Sequence, residues 1–381
     1  MAILAGQAAG PGGLGTVYAG FAAYAAVLGL QRSYITTPLV ARTATEPRHV
    51  RAQATSAALT LVVASSVLAG AGFALAGWAI GGTIGRGLLL FAPWLLPALI
   101  QQFWRAIFFR DGLTFRAVLN DFAWFAVLLA MAPLALRAGS EGVAVAAWGL
   151  GSAAAVLLAW GATRQPLGWP RAAVQWWRHR ASRFGSWLAL QEFVFIVSGY
   201  AMVVVLAEVL GREDLGGMRA AESVFAPISL VAPALILPGL PIMARANARS
   251  SADARRLAVI LSGIATAATA VYSMTMIALS SDVLHTVFGA DFARYHFLVW
   301  PMGTWQIIAA AAIGFTILLQ AEQRGRALAI AGAAGSLSGV CLVSLLAFAS
   351  GVRGAAWGYA AAAALATGAT IWFALRRRER S

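Results

Sequence analysis

Lysine is absent from these 381 residues, so all 28 basic side chains are arginines. With abundant alanine and glycine, that absence reads as the composition of a GC-rich genome rather than as a functional signal. Cysteine occurs once, at Cys341 inside an apolar stretch, so neither a disulfide nor a cysteine-based metal site can form within one chain. The four histidines (His49, His179, His285, His296) show no HxxxH or HExxH spacing, and no metal site is expected. Charged residues make up 11% of the chain, against about 25% in an ordinary soluble protein. Met1 to Gly10 has no basic n-region, and its apolar core is too short for a signal peptide. There is no Walker A glycine loop, so ATP does not drive the protein directly and no cofactor is expected. No Ser/His/Asp or paired-carboxylate constellation appears in the loops, which are too short to build a soluble active site. The chain is not expected to be an enzyme.

Apolar length is what the sequence has in place of charge. Sixty per cent of residues are hydrophobic and mean hydropathy is +0.77. An untilted helix needs about 20 apolar residues to cross a bilayer. Eleven stretches qualify: approximately 14–40, 50–79, 84–108, 114–136, 141–163, 182–210, 216–243, 255–279, 296–320, 326–349 and 353–375. The arginines crowd into alternate loops. Arg86, Arg137, Arg212, Arg219, Arg294 and Arg353 fall on one side, 21 others on the opposite side, and Arg32 alone within a span. That 21-to-6 split is the positive-inside pattern. It explains the formal charge of +14 without a nucleic-acid groove. The expected protein is all-α and multi-pass, in a bacterial cytoplasmic (plasma) membrane, with its C-terminus in the cytoplasm.

Residues 166–183 form the one extended connector, mixing Trp169, Trp176 and Trp177 with Arg171, Arg178, Arg180 and Arg183. Indole rings favour the headgroup level and arginines favour anionic lipid, so a short helix on the membrane surface is expected there. It would divide an N-terminal bundle, 1–165, from a C-terminal bundle, 184–381. The two halves repeat at a shift of about 203–210 residues: Pro38-Leu-Val-Ala-Arg42 matches Pro241-Ile-Met-Ala-Arg245, and Arg116-Ala117 matches Arg326-Ala327. A six-helix repeat keeps both halves in the same orientation, related by an axis along the membrane normal. In that register Met1 to Gly10 reads as the tail of an incomplete first helix.

These features resemble the polysaccharide and oligosaccharide-lipid flippases of the multidrug/oligosaccharidyl-lipid/polysaccharide exporter superfamily, of the O-antigen and teichoic-acid exporter type. The resemblance rests on Ala9-Gly-Pro-Gly-Gly-Leu-Gly15 at a first inter-helix turn, Pro38 to Arg42 and Arg110 to Asp121. It rests also on Gly216-Gly-Met-Arg-Ala-Ala with Ala226-Pro227 and Leu240-Pro241. It implies two six-helix bundles, the first helix truncated, around a central cleft that opens alternately to either side.

A charge inside a span costs roughly 2.5–3.5 kcal/mol on insertion scales, so each one calls for a reason. Arg32 lies about 15 Å along the helix from Arg42. It shares a broad arc with Tyr24, Gln31 and Thr36, a face suited to substrate binding, and a guanidinium holds a pyrophosphate through two donors. Snorkelling to the headgroups is the structural alternative. In the other half, Gly185, Glu192 and Gly199 recur every seven residues, flanked by Gln191 and Ser198. Glu192 would bind a coupling H+ or Na+, pair with Arg32 when substrate is absent, or hold helices together as a protonated carboxyl, while Gln191 would contact substrate. Asn120 and Asp121 read as packing groups, and Arg219 with Glu222 as a local pair. Pro227, Pro233, Pro238 and Pro241 predict a bent span that would serve as a gate, and Pro93 and Pro97 a second kinked helix.

The leading expectation is a secondary transporter that flips polyprenyl-(pyro)phosphate-linked saccharide outward, with lipid-linked oligosaccharide and membrane lipid as its partners and no nucleic acid. The alternatives are a cation-coupled multidrug efflux antiporter, which should favour acidic and aromatic cavity groups, and a non-transporting membrane scaffold. A membrane-embedded glycosyltransferase or polymerase would need longer external loops than this chain has.

Overall fold

The computed structural model describes the backbone of residues 2–228 and 231–376. Arg377, Arg378 and Arg380, part of the expected basic tail, lie outside the described residues. Helices dominate, as lipid demands: a backbone without water must satisfy its polar groups internally. Among the described residues, ten stretches are helical, long and apolar enough to cross a membrane. The last of these, Gly325–Leu375, contains non-helical Ser350 and Gly351 and folds back on itself, which brings the spans to eleven. Contacts divide the chain into two units, Met1–Gly185 (bundle 1) and Ser186–Ser381 (bundle 2).

Bundle 1 begins with α1 (Ala2–Gln31), which runs through a π turn at Arg32–Thr36 into α2 (Thr37–Thr43). The expected turn at Ala9 to Gly15 is not formed. The helix continues through Gly10, Pro11 and Gly12, because a proline forfeits only one backbone bond, and packing supplies the rest. That packing is against α4 (Gly82–Phe91): a Cβ on Gly20 would lie 2.5 Å from the Gly87 carbonyl, so glycine is what lets the backbones approach. Next come α3 (Arg48–Ile80) and α5 (Leu95–Arg110), the latter separated from α4 by a 3₁₀ turn at Ala92–Trp94 where Pro93 predicted a kink. α6 (Thr114–Ala138) packs on α7 (Glu141–Thr163), pinned by the Asn120 amide donating to the Ala155 carbonyl at 2.8 Å.

The connector forms α8 (Pro170–Trp176) and a π turn at Trp177–Ala181. Its entry is fastened to α3, where Ser56 Oγ donates to the Pro166 carbonyl and Thr60 Oγ1 to that of Gly168. Trp169 is exposed, but Trp177 packs on Tyr34 with ring centroids 4.6 Å apart.

Bundle 2 opens with α9 (Ser182–Ser223), broken at Gly211, where φ is +75°. The next span is interrupted at residues 224–228, where Pro227 predicted a bend, and helix returns in α10 (Val231–Arg249), which contains Pro233, Pro238 and Pro241. Pro227 has no N–H to offer the Ser223 carbonyl, which accepts from Ala226 at 3.1 Å instead. Tyr272 donates to the Val224 carbonyl at 2.8 Å. α11 (Ser251–Ala278) follows, then two short helices, α12 (Ser280–Phe288) and α13 (Ala290–Ala293), between the predicted spans 255–279 and 296–320. α14 (Val299–Ala310) and α15 (Ile313–Ala321) form one span with a break at Ala311 and Ala312. The α16 hairpin (Gly325–Leu375) closes the bundle.

Candidate functional site

The break between α14 and α15 has no proline to cause it. Neighbouring hydroxyls hold it open. Ser262 on α11 accepts from the Gly314 amide at 3.0 Å, and Thr367 on α16 donates to the Ile308 carbonyl at 3.0 Å. The Gly314 amide, which a straight helix would pair internally, is therefore satisfied from outside, and the Ile308 carbonyl accepts from Thr367 in addition to the Ala311 amide at 3.2 Å. Gly314 is required there, since a Cβ would overlap the Ala258 carbonyl of α11. Unwound backbone at membrane depth is tolerated where it lines a cavity, and here it does.

That cavity, about 600 Å³, lies within bundle 2 among α9, α14 and α16. Its floor is made of small residues: Gly332, Gly335 and Gly339 on one arm of α16 face Ala362, Ala363 and Ala366 on the other. Its walls carry Glu192, Phe195 and Met202 from α9, Trp305 from α14 and Tyr359 from α16. Trp305 and Tyr359 lie 4.9 Å apart between ring centroids, forming a continuous aromatic wall. Arg219 and Glu222 close one end as an ion pair at 2.5 Å. The titratable lining thus holds two carboxyls and one guanidinium, and that guanidinium is engaged by one of the carboxyls.

The sequence-predicted residues divide sharply. Gln191, Glu192, Ser198 and Gly199 all line the cavity, with Gln191 lying over Gly332. Gly185 does not; it is in bundle 1, packed against the Tyr34 carbonyl and Pro38. Arg219 and Glu222 form the expected i,i+3 pair, but the pair also faces the cavity. Pro227 lies at the break before α10 and is exposed, while Pro233 and Pro238 lie within α10.

The residues expected to share a polar face with Arg32 are engaged in packing. Gln31, Tyr24 and Thr36 are buried packing groups of bundle 1. The Gln31 amide donates toward the Val62 carbonyl and the Ser65 and Ser66 hydroxyls at 3.1–3.4 Å, tying α1 to α3. Tyr24 sits edge-on to Trp148 with centroids 5.0 Å apart and stacks on Phe91. Burial of a polar group requires such partners. Arg32 itself is half-buried, at the start of the π turn that the Trp177 indole caps by donating to the Tyr34 carbonyl at 3.2 Å.

The α14–α15 break, the aromatic wall and the inward turn of Arg219 and Glu222 were not anticipated. One usable signal was present: Gly332, Gly335, Ser336 and Gly339 share one face of a helix, a small-residue stripe that makes room for something.

No protein-family model matches the sequence, and no curated protein matches it. Solved structures do match the fold. An outward-facing multidrug resistance MATE family transporter of the MOP superfamily superposes with a TM-score of 0.81 at 13% identity, over 98% of this chain and 89% of that one. A MOP superfamily transporter from Pyrococcus furiosus, described as having a binding pocket of reverse polarity that suggests a different function, gives 0.78 at 14% identity, over 98% and 89%. A mutant MATE transporter from Vibrio cholerae gives 0.76 at 14% identity, over 98% and 90%. Identities this low speak to architecture alone: the chain has the all-helical fold seen in these MATE-type transporters.

Proposed function

We propose that this protein is a secondary membrane transporter whose C-terminal bundle takes up an amphipathic organic cation, the multidrug-type reading rather than the flipping of a lipid-linked saccharide. The observation that carries it is the lining of the α9–α14–α16 cavity, where Glu192 and Glu222 share the walls with Phe195, Trp305, Tyr359 and Met202. A cation over an aromatic face gains about 0.5–2 kcal/mol depending on desolvation. A volume of about 600 Å³ suits a drug-sized molecule. A pyrophosphate-linked saccharide would ask for several guanidinium forks, and the one arginine here is paired with Glu222. Of the three structural neighbours described above, two are MATE transporters, one of them a multidrug resistance transporter, which supports the same reading. The Pyrococcus furiosus neighbour shows why pocket chemistry must decide between substrates that one fold can serve.

In this reading Glu192 carries the exchange. Its carboxylate attracts the cation, and a coupling proton or Na+ arriving at the same oxygens displaces it, so the two are bound alternately. The test uses the purified chain in proteoliposomes with a planar aromatic monocation and an imposed pH or Na+ gradient. Glu192→Gln should weaken binding of that cation about tenfold, the value of one charge-assisted contact, while an uncharged analogue of the same shape is unaffected. Equal transport by the unmodified protein and Glu192→Gln would falsify the assignment. Failure of the unmodified chain to move any such cation would favour a membrane scaffold.

Orientation belongs to the same proposal: the arginine-rich ends face the cytoplasm. A reporter fused after Ser381 should be active only as a cytoplasmic fusion, and activity restricted to the exterior would reverse the topology.

A further inference from the structure

A second cavity, about 470 Å³, lies at the arginine-rich end of bundle 1, remote in chemistry from the cation pocket. The ends of α3, α5, α6 and α7 surround it, and Arg48, Arg51, Arg110 and Arg116 all line it. Asp111 is the one carboxylate in the lining. It is already spent on two of these arginines, accepting from Arg110 at 2.9 and 3.0 Å and forming an ion pair with Arg51 at 3.2 Å. Within bundle 1, and among the described residues, no carboxylate pairs with Arg48 or Arg116. Four guanidiniums around one carboxylate leave a concave site with three surplus positive charges.

The walls are built rather than incidental. Arg110 is 2% exposed and is fixed from a second direction by the Thr43 and Thr55 hydroxyls, at 3.1 and 3.0 Å. Trp104 forms an apolar wall. The indole N–H of Trp104 and the Nε of Arg51 are buried donors that have no hydrogen-bond partner among the described residues. Surplus donors and surplus positive charge in one hollow define an acceptor-rich anion as the complement.

We propose that this hollow binds the phosphate of an anionic phospholipid headgroup. Phosphate supplies the acceptor oxygens and the negative charge. Its level in the fold favours lipid as the source: the hollow sits where membrane-length helices end, and exposed Leu113 and Phe115 stand at the same turn, placed to meet acyl chains. Arg110 and Asp111 hold the walls in place, while Arg48, Arg51 and Arg116 present their charges to the ligand.

The experiment is native mass spectrometry of the purified full chain after reconstitution with mixed phosphatidylglycerol and phosphatidylcholine. Retention of phosphatidylglycerol over phosphatidylcholine is expected. The double variant Arg48→Gln/Arg116→Gln should lower phosphatidylglycerol affinity by about 25-fold, roughly fivefold for each arginine near the membrane surface. Both residues are exposed and lie outside the Arg110 network, so the variant should fold. A charge-matched control, Arg256→Gln/Arg326→Gln, should retain the lipid as well as the unmodified chain does. Equal retention by the Arg48/Arg116 variant, or equal loss in the control, would overturn the proposal. Displacement of the lipid by millimolar inorganic phosphate would overturn the lipid assignment in favour of a soluble phosphate ester.

Discussion

Gly199→Leu should leave bundle 2 at least as stable as before and yet weaken cation binding up to about 100-fold. Gly199 sits mid-helix on α9 and lines the cavity, and a Cβ built there meets nothing within 4 Å. Replacing a mid-helix glycine by a good helix former gains about 0.8–1 kcal/mol of intrinsic propensity. The four added carbons occupy space that the proposed ligand needs. Overpacking costs about 1–3 kcal/mol, and here it would fall on the bound state alone. Affinity for the aromatic monocation should drop up to about 100-fold while the thermal midpoint in detergent stays level or rises. A site located elsewhere predicts unchanged binding, and a tightly packed helix face predicts a fall in the midpoint, so the two readouts separate the explanations. Glu192→Gln weakens attraction and Gly199→Leu removes room, which makes them independent probes of one cavity.

Arg110→Met should be the most destabilising single substitution in bundle 1 described here. The guanidinium is buried, engages Asp111 through two donors and reaches the Thr43 and Thr55 hydroxyls with a third. Those hydroxyls spend their own protons on the Leu39 and Arg51 carbonyls, each at 2.7 Å, so only an external donor can serve their remaining lone pairs. Breaking a buried ion pair by removing one partner costs about 3–5 kcal/mol. Asp111 is about a quarter exposed and keeps Arg51, which places the cost near the lower end, about 3 kcal/mol. Arg110→Lys should recover only part of it, because an ammonium retains the charge but not the fork. The paired substitution Arg110→Met/Asp111→Asn should be less harmful than Arg110→Met alone, since it leaves no unmatched carboxylate. A midpoint for Arg110→Met within error of the unmodified protein would remove the network from the stability argument.

Much of the architecture was legible because lipid imposes a simple rule. A span must be about 20 apolar residues long, and each of the eleven predicted stretches overlaps a helical span in the structure, within a few residues at most boundaries. Pro93 and Pro227 mark breaks for the equally local reason that proline removes a backbone donor. The glycine-proline run at Gly10 to Gly13 misled by the same logic: local breaker chemistry predicted a turn, and packing of α1 on α4 kept a helix. In the cavity, Glu192 and Gln191 were legible because a carboxyl at seven-residue register with glycines, with an amide beside it, stands out from an apolar helix. Trp305 and Tyr359 were not, since an aromatic residue in a membrane span looks the same in sequence whether it faces lipid, a neighbour or a cavity.

The sequence by itself determined that the chain is a multi-pass α-helical membrane protein, where its spans run and which helix ends carry the arginines, because hydropathy and charge act residue by residue along one chain. The tertiary structure alone decided what the polar residues inside those spans do. Gln31, Tyr24 and Glu192 are equally conspicuous in the sequence, yet Gln31 bonds α3, Tyr24 stacks on Trp148, and Glu192 lines a cavity with residues more than 100 positions away. A buried polar group is stabilised by whatever partner lies opposite it, and that partner is set by helix packing. The break at Ala311 and Ala312 depends on Ser262 and Thr367 in the same way, so no reading of residues 299–321 alone reveals it.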